Sequence, residues 1–192
     1  MPRRSKKNDQ NIHDNILIIA EKLLLTYGIK GWNMDSVAKE AGIAKNTLYE
    51  IISSKEQLIE DVVISRLKNN IDVIVEIFKN EPDFEKACNL GSKHLARTIS
   101  TYDLLILPQV FREYPMIKEK FGSIGQKLGT SIHNYINKAK KDGKVRKEVD
   151  NDVLINCVTA IVNYLLSENY MGKDYENRVN KGLSYLLKGI LT

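Results

Sequence analysis

The sequence predicts an all-α fold: a small three-helix N-terminal domain followed by a larger helical C-terminal domain. Three observations carry this. Apolar residues recur at intervals of three and four through most of the chain, while strand-type alternation is nearly absent. Only 4 prolines and 11 glycines occur in 192 residues, so long stretches run without a helix breaker. Apolar residues make up 43% of the chain, enough to bury a core.

The first helix is predicted over Asn11–Tyr27. Ile12, Ile16, Ile19, Ala20, Leu23, Leu24 and Tyr27 form its apolar stripe, and Gly28 supplies a stop. Asn33 caps a second helix starting at Met34, with Asp35 in its positive first turn. Val37, Ala38 and Ala41 face inward there, and Gly42 ends it. A third helix covers Lys45–Ile52. Ser54 opens a long helix to Asn80, with Gln57 as its capping-box partner and Leu58, Val62, Ile71, Ile74, Val75 and Phe78 on its apolar face.

Five further helices are predicted near 83–100, 103–113, 115–141, 151–170 and 174–191. Pro115 suits a first helical position, Asp142-Gly143 a turn, and Asp174 a cap after Gly172. The chain thus divides into a basic flexible arm (1–10), a three-helix domain (11–54) and a helical body (55–192).

The net charge of +5 leans toward an anionic partner. Arg3, Arg4, Lys6 and Lys7 face only Asp9 within the first ten residues. That arm reads equally as a solvated tail or as a phosphate-binding element. Cys88 and Cys157 lie far apart and read as small buried groups in a reducing compartment. No apolar run approaches the roughly 18 to 20 residues of a membrane span. The basic start lacks a following signal-type apolar stretch, so a cytoplasmic protein is expected.

The informative segment is Trp32–Lys55, WNMDSVAKEAGIAKNTLYEIISSK. Two short helices meet at Gly42 across a tight turn, the arrangement that lets a second helix enter a major groove. Ala38 is small where the helices cross, and Ile43 and Leu48 plug the core. Lys45, Asn46, Thr47 and Tyr49 point outward, with groups suited to phosphates and base edges. Taken alone, the segment also fits a plain helical hairpin with no nucleic-acid role. Trp32 reads as a packing residue.

Further matches extend the pattern: Ala20, Gly28, Val37-Ala38, Ala41-Gly42-Ile43, Thr47-Leu48-Tyr49 and Ser54-Lys55-Glu56-Gln57-Leu58. In that register, Ile16–Leu58 resembles the N-terminal domain of the TetR family of transcriptional regulators. The turn Gly143-Lys144-Val145-Arg146 is similar to one common in that family. The resemblance implies a DNA-binding helix-turn-helix domain joined to a ligand-binding and dimerisation domain.

It also implies roles. Lys45, Asn46 and Thr47 open the recognition helix; Thr47 and Tyr49 resemble the family's phosphate-contacting pair, and Lys55 its phosphate clamp. Asn33, Asp35 and Ser36, at the exposed start of the preceding helix, join the DNA-facing set, as do Arg3 and Arg4 of the arm. The sequence departs from the family where Ala44 replaces a capping Ser, and at Ile51 and Ile52; Glu50 adds a negative charge. These departures point to modest affinity that leans on the arm.

The resemblance further implies an effector pocket in the body. His94, Tyr102, Phe111 and Tyr135 are the candidate lining residues, although each alone also reads as core or surface. Leu154, Ile161, Leu165, Leu183 and Leu187 of the last two helices are candidates for a four-helix dimer interface, with burial in the monomer core as the competing reading. The three histidines sit apart, without metal-ligand spacing, and the charge run at Lys138–Lys147 reads as a solvated helix end.

No Gly-rich phosphate loop, Gly-x-Ser-x-Gly elbow or His-Glu-x-x-His occurs, so neither an enzyme nor a cofactor is expected. The expected function is a homodimeric regulator, acting as a repressor, that binds a pseudo-palindromic operator and answers to an unknown small molecule. The competing expectation is a helical ligand-binding protein with weak or non-specific DNA binding.

Overall fold

A computed structural model describes residues 6–98, 106–168, 170 and 172–191. Among these residues nine helices occur: α1 (Lys6–Tyr27), α2 (Met34–Ala41), α3 (Lys45–Ile51), α4 (Lys55–Asn80), α5 (Phe84–Thr98), α6 (Leu107–Glu113), α7 (Pro115–Lys141), α8 (Asn151–Ser167) and α9 (Gly172–Ile190). They fall into two compact units. One lies within Met1–Leu67 and Leu105–Phe121, the other within Lys68–Leu104 and Gly122–Thr192, so α4 and α7 contribute residues to both.

In the first unit, α1 begins at Lys6, earlier than the expected Asn11. The stretch from Lys6 to Gln10 holds no Gly or Pro to interrupt it, and Gln10 Nε2 donates to Asp14 Oδ1 at 2.9 Å one turn on. Arg3 and Arg4 lie outside the described residues. Ile16, Ala20, Leu23 and Leu24 are buried, while Tyr27 is exposed and leaves the predicted stripe. Gly28, at φ +67, donates its N–H to Leu24 O at 2.9 Å and closes the helix.

Trp32, Met34, Val37, Ala38, Leu48, Ile52, Leu58, Ile59, Val62 and Val63 are also buried in this unit, where α1 packs against α2 and α2 against α3. Arg66 on α4 pairs with Glu21 on α1 at 3.0 Å. Ser54 caps α4 as predicted, its Oγ accepting from Gln57 N at 3.1 Å. The reciprocal half of the box differs, because the Gln57 amide donates forward to Asp61 at 2.9 Å. Val110 of α6 and Ile117 of α7 are also buried in this unit, and Phe111 meets Phe121 edge-on at 5.2 Å.

In the second unit, α9 packs against α5 and α8. One apolar cluster joins Ala96, Val162, Leu165, Tyr175, Val179 and Leu183. A second joins Phe84, Ala139, Val145 and Leu187. The turn Gly143-Lys144-Val145-Arg146 ties α7 to the end of α9: Gly143 takes φ +70, and Arg146 N donates to Ile190 O at 3.0 Å. Helix α9 starts at Gly172, so Asp174 sits inside the first turn and pairs with Arg178 at 3.0 Å.

Packing within the chain accounts for most of the residues expected at a dimer interface. Leu165, Leu183 and Leu187 are buried within their own chain, and Ile161 packs against the first cluster. Among the described side chains of α8 and α9, the exposed large apolar ones are Val153, Tyr164 and Tyr185.

Candidate nucleic-acid interface and effector cavity

Helix α3 is held from below and open above. Leu48 is 0% exposed, whereas Tyr49 beside it is 43% exposed. Gly42, at φ +66, donates its N–H back to α2 and makes the turn that an L-residue would strain. Ile43 N donates to Ala38 O at 3.1 Å, which fixes how α3 leaves α2. Ala44 stands at the N-cap and provides no side-chain acceptor, as its sequence implies. Asn46 and Glu50 are exposed, and Thr47 is half-buried.

The start of α2 is a polar ledge beside α3. Asn33 Oδ1 accepts from Ser36 N at 2.9 Å and from Ser36 Oγ at 3.1 Å, so Asn33 and Ser36 are engaged in capping. Asp35 Oδ1 lies 2.7 Å from Lys45 Nζ, with both side chains exposed. That hydrogen bond and the opposite charge hold the Lys45 ammonium above its usual pKa.

Lys55 is turned inward. Its ammonium donates to Ile29 O and Trp32 O and sits 4.3 Å from the Trp32 ring centroid. Partial burial lowers its pKa. Its hydrogen bonds therefore staple the α1–α2 connection to the start of α4, a placement unlike the solvent-facing clamp expected from the sequence.

In the second unit a cavity of about 420 Å³ opens among α4, α5, α7, α8 and α9. Its wall includes Ile74, Phe84, Leu128, Ile132, Val158 and Leu186. Tyr135 is part of the wall, and its ring lies 4.6 Å from Phe78 and 5.4 Å from Phe84 between centroids. His94 and Phe111 are placed elsewhere: Phe111 belongs to the first unit, and His94 Nε2 is buried with no hydrogen-bond partner among the described residues. Burial lowers the His94 pKa and favours the neutral ring. Tyr102 lies outside the described residues. Leu154, assigned to the interface by its sequence, also lines the cavity.

Comparison with known proteins bears on the first unit most directly. Residues 16–62 match the family model described as bacterial regulatory proteins, tetR family. Over that segment the chain is similar to the N-terminal domain of TetR-family transcriptional regulators. It is 28% identical over 129 residues to the HTH-type transcriptional regulator YhgD of Bacillus subtilis (strain 168), a match covering 67% of this chain and 66% of that protein.

Solved structures share the TetR-type fold across nearly the full length. A TetR-family transcriptional regulator from Agrobacterium tumefaciens superposes with a TM-score of 0.75 at 16% identity, covering 96% of this chain and 100% of that one. The regulator FadR from Bacillus subtilis, in complex with stearoyl-CoA, gives 0.72 at 16% identity, covering 93% and 99%. Within this TetR-type framework, sequence reasoning missed the cavity residues of α7, among them Gly125, Leu128, Gly129 and Ile132. Glycines inside an otherwise helical pattern were the available signal.

Proposed function

We propose that this chain works as a ligand-responsive DNA-binding repressor. Two copies pair through exposed faces of α8 and α9 and present two α3 helices to a pseudo-palindromic operator. A small molecule held in the second-unit cavity changes operator affinity. The observation that supports this reading best is the α3 arrangement: a fully buried Leu48 anchor under an outward row of Lys45, Asn46 and Tyr49. In this reading Tyr49 and Thr47 contact phosphates, Lys45 and Asn46 meet base edges, and Arg3 and Arg4 add phosphate contacts. The chain acts in the cytoplasm and catalyses no reaction.

FadR, whose structure holds stearoyl-CoA, supports a small-molecule effector for the shared fold. Coupling of about 1 to 3 kcal/mol between cavity and operator changes DNA affinity about 5- to 150-fold. Helix α4 has residues in both units, which makes it the natural carrier of that coupling.

A second reading, weak or non-specific DNA binding, is favoured by the Lys45–Asp35 pair and the inward Lys55, which leave α3 with little free positive charge. Selection of duplexes from a random pool, followed by anisotropy titrations, separates the two. The first reading expects a selected duplex to bind at least about 10³-fold tighter than a random one. It also expects Tyr49→Ala to weaken binding about 10-fold or more, with an unfolding free energy within about 0.5 kcal/mol of wild type. Equal affinity for selected and random duplexes establishes the second reading instead.

A further inference from the structure

The geometry points to the chemical class of the effector: the second-unit cavity selects an uncharged, largely apolar molecule. This rests on the cavity being the effector site, as proposed above, and deepens it.

The wall carries the first part of the case. Among the described residues that line the cavity there is no Lys, Arg, His, Asp or Glu. A carboxylate, phosphate or ammonium lodged there would lose its water and find no counter-charge. The polar groups that do reach the wall are Cys88, Ser92, Tyr135 and Thr159. Three have their protons engaged within the chain: Ser92 Oγ lies 3.0 Å from Asn89 O, Thr159 Oγ1 donates to Ile155 O at 2.9 Å, and Tyr135 Oη donates to Glu81 O at 3.4 Å. What they offer a ligand is oxygen lone pairs. An anion needs strong donors, and the three hydroxyls of the wall direct theirs to the chain. A hydroxyl on the ligand would find an acceptor. Burial pushes the Cys88 thiol up to about 12, so the sulfur stays neutral as well.

The second part is the room itself. Gly125 and Gly129 stand one turn apart on α7 and both line the cavity. A Cβ added at either would meet nothing within 4 Å. Glycine inside a helix is about 1 kcal/mol less favourable than alanine. Here no packing constraint of the chain explains that loss, since the space above each glycine is open. The open volume of about 420 Å³ falls in the range of small-molecule sites.

The test uses the full chain and a matched pair of fluorescent probes, 1-anilinonaphthalene and its 8-sulfonate. The neutral probe is expected to bind saturably with one site per chain, and the sulfonate at least about tenfold more weakly. Decan-1-ol is expected to displace the neutral probe at concentrations where decanoate does not. Gly129→Leu and, separately, Gly125→Leu should weaken the neutral probe at least about tenfold, with far-UV circular dichroism unchanged.

Equal binding of the sulfonate, or equal displacement by decanoate, overturns the assignment to an uncharged ligand. Undiminished probe binding in both folded glycine variants overturns the cavity as its location. If the variants fail to fold, the alcohol–decanoate comparison on wild type still decides the question of charge. Operator binding by wild type, measured alongside, keeps the two proposals apart. A chain that binds a selected duplex but neither probe refutes this inference alone, whereas one that binds the neutral probe but no duplex refutes only the DNA-binding reading.

Discussion

Lys45 and Asp35 form a 2.7 Å ion pair across the turn of the helix-turn-helix. Lys45 is the only cation of α3, whose sequence is KNTLYEI, and its partner is the acidic residue of the first turn of α2. The pair is exposed, so its contribution to stability is small. Its weight lies in DNA binding, because the ammonium must leave a carboxylate before it meets an anionic duplex.

Asp35→Asn is therefore expected to raise affinity for random duplexes several-fold. One added phosphate contact makes the slope of log K against log salt steeper by about 0.9. Anisotropy titrations between about 50 and 200 mM salt read this directly. An unchanged slope would show that Lys45 does not reach phosphate even when released.

Lys55→Met tests the staple. The substitution leaves the carbonyls of Ile29 and Trp32 without their donor, at an expected cost of about 1–3 kcal/mol in urea unfolding. The chain has 1 tryptophan, so its emission reports the loss of the ammonium over the ring. The salt slope for duplex binding should not change. A flatter slope with unaltered stability would return Lys55 to the role of a phosphate contact.

Residues 164 and 165 make a paired test of the second unit. Tyr164 is 62% exposed and Leu165 is 7% exposed. Tyr164→Asp, or Tyr185→Asp on α9, should keep the circular dichroism of wild type and shift the mass measured by light scattering from dimer to monomer. Leu165→Asp places a charge in the cluster around Tyr175 and Val179 and should lose helical signal outright. Tyrosine variants that remain dimeric would move the interface off these faces.

The half-buried Cys88 gives a pH dependence with a definite sign. Its folded pKa is raised from 9.0 to about 12, so between those values the native state holds a proton that the unfolded chain has released. The associated stability is complete below about pH 9 and is lost as pH rises toward 12. Cys88→Ala should flatten the fall in stability above pH 9, measured by urea unfolding across that window. In a Cys157→Ser background, the Cys88 thiol should react with a disulfide reagent slowly when native and rapidly in denaturant. Rapid native reaction at neutral pH would contradict the raised pKa.

The helix-turn-helix was the most legible part of the chain. Asn33 capping α2, Gly42 at positive φ, Leu48 beneath α3 and Ser54 at the head of α4 are each decided within a few residues of chain. Their chemistry is therefore written in short stretches of sequence. Pro115 opening α7 and the Gly143 turn were legible for the same reason. Tyr135 could be guessed for the cavity from its type and region alone.

By itself, the sequence determined the helical class, the order and approximate limits of the elements, and the outward row on α3. Those depend on local periodicity, caps and turns. Only tertiary structure decided that Lys55 faces Trp32 and not solvent, that Leu165, Leu183 and Leu187 fill their own core, and that Gly125 and Gly129 border open space. An amphipathic helix records which of its faces is apolar, but not which neighbour covers that face. That choice is made by packing between residues far apart in the chain, where one helix stripe can equally become core, interface or cavity wall.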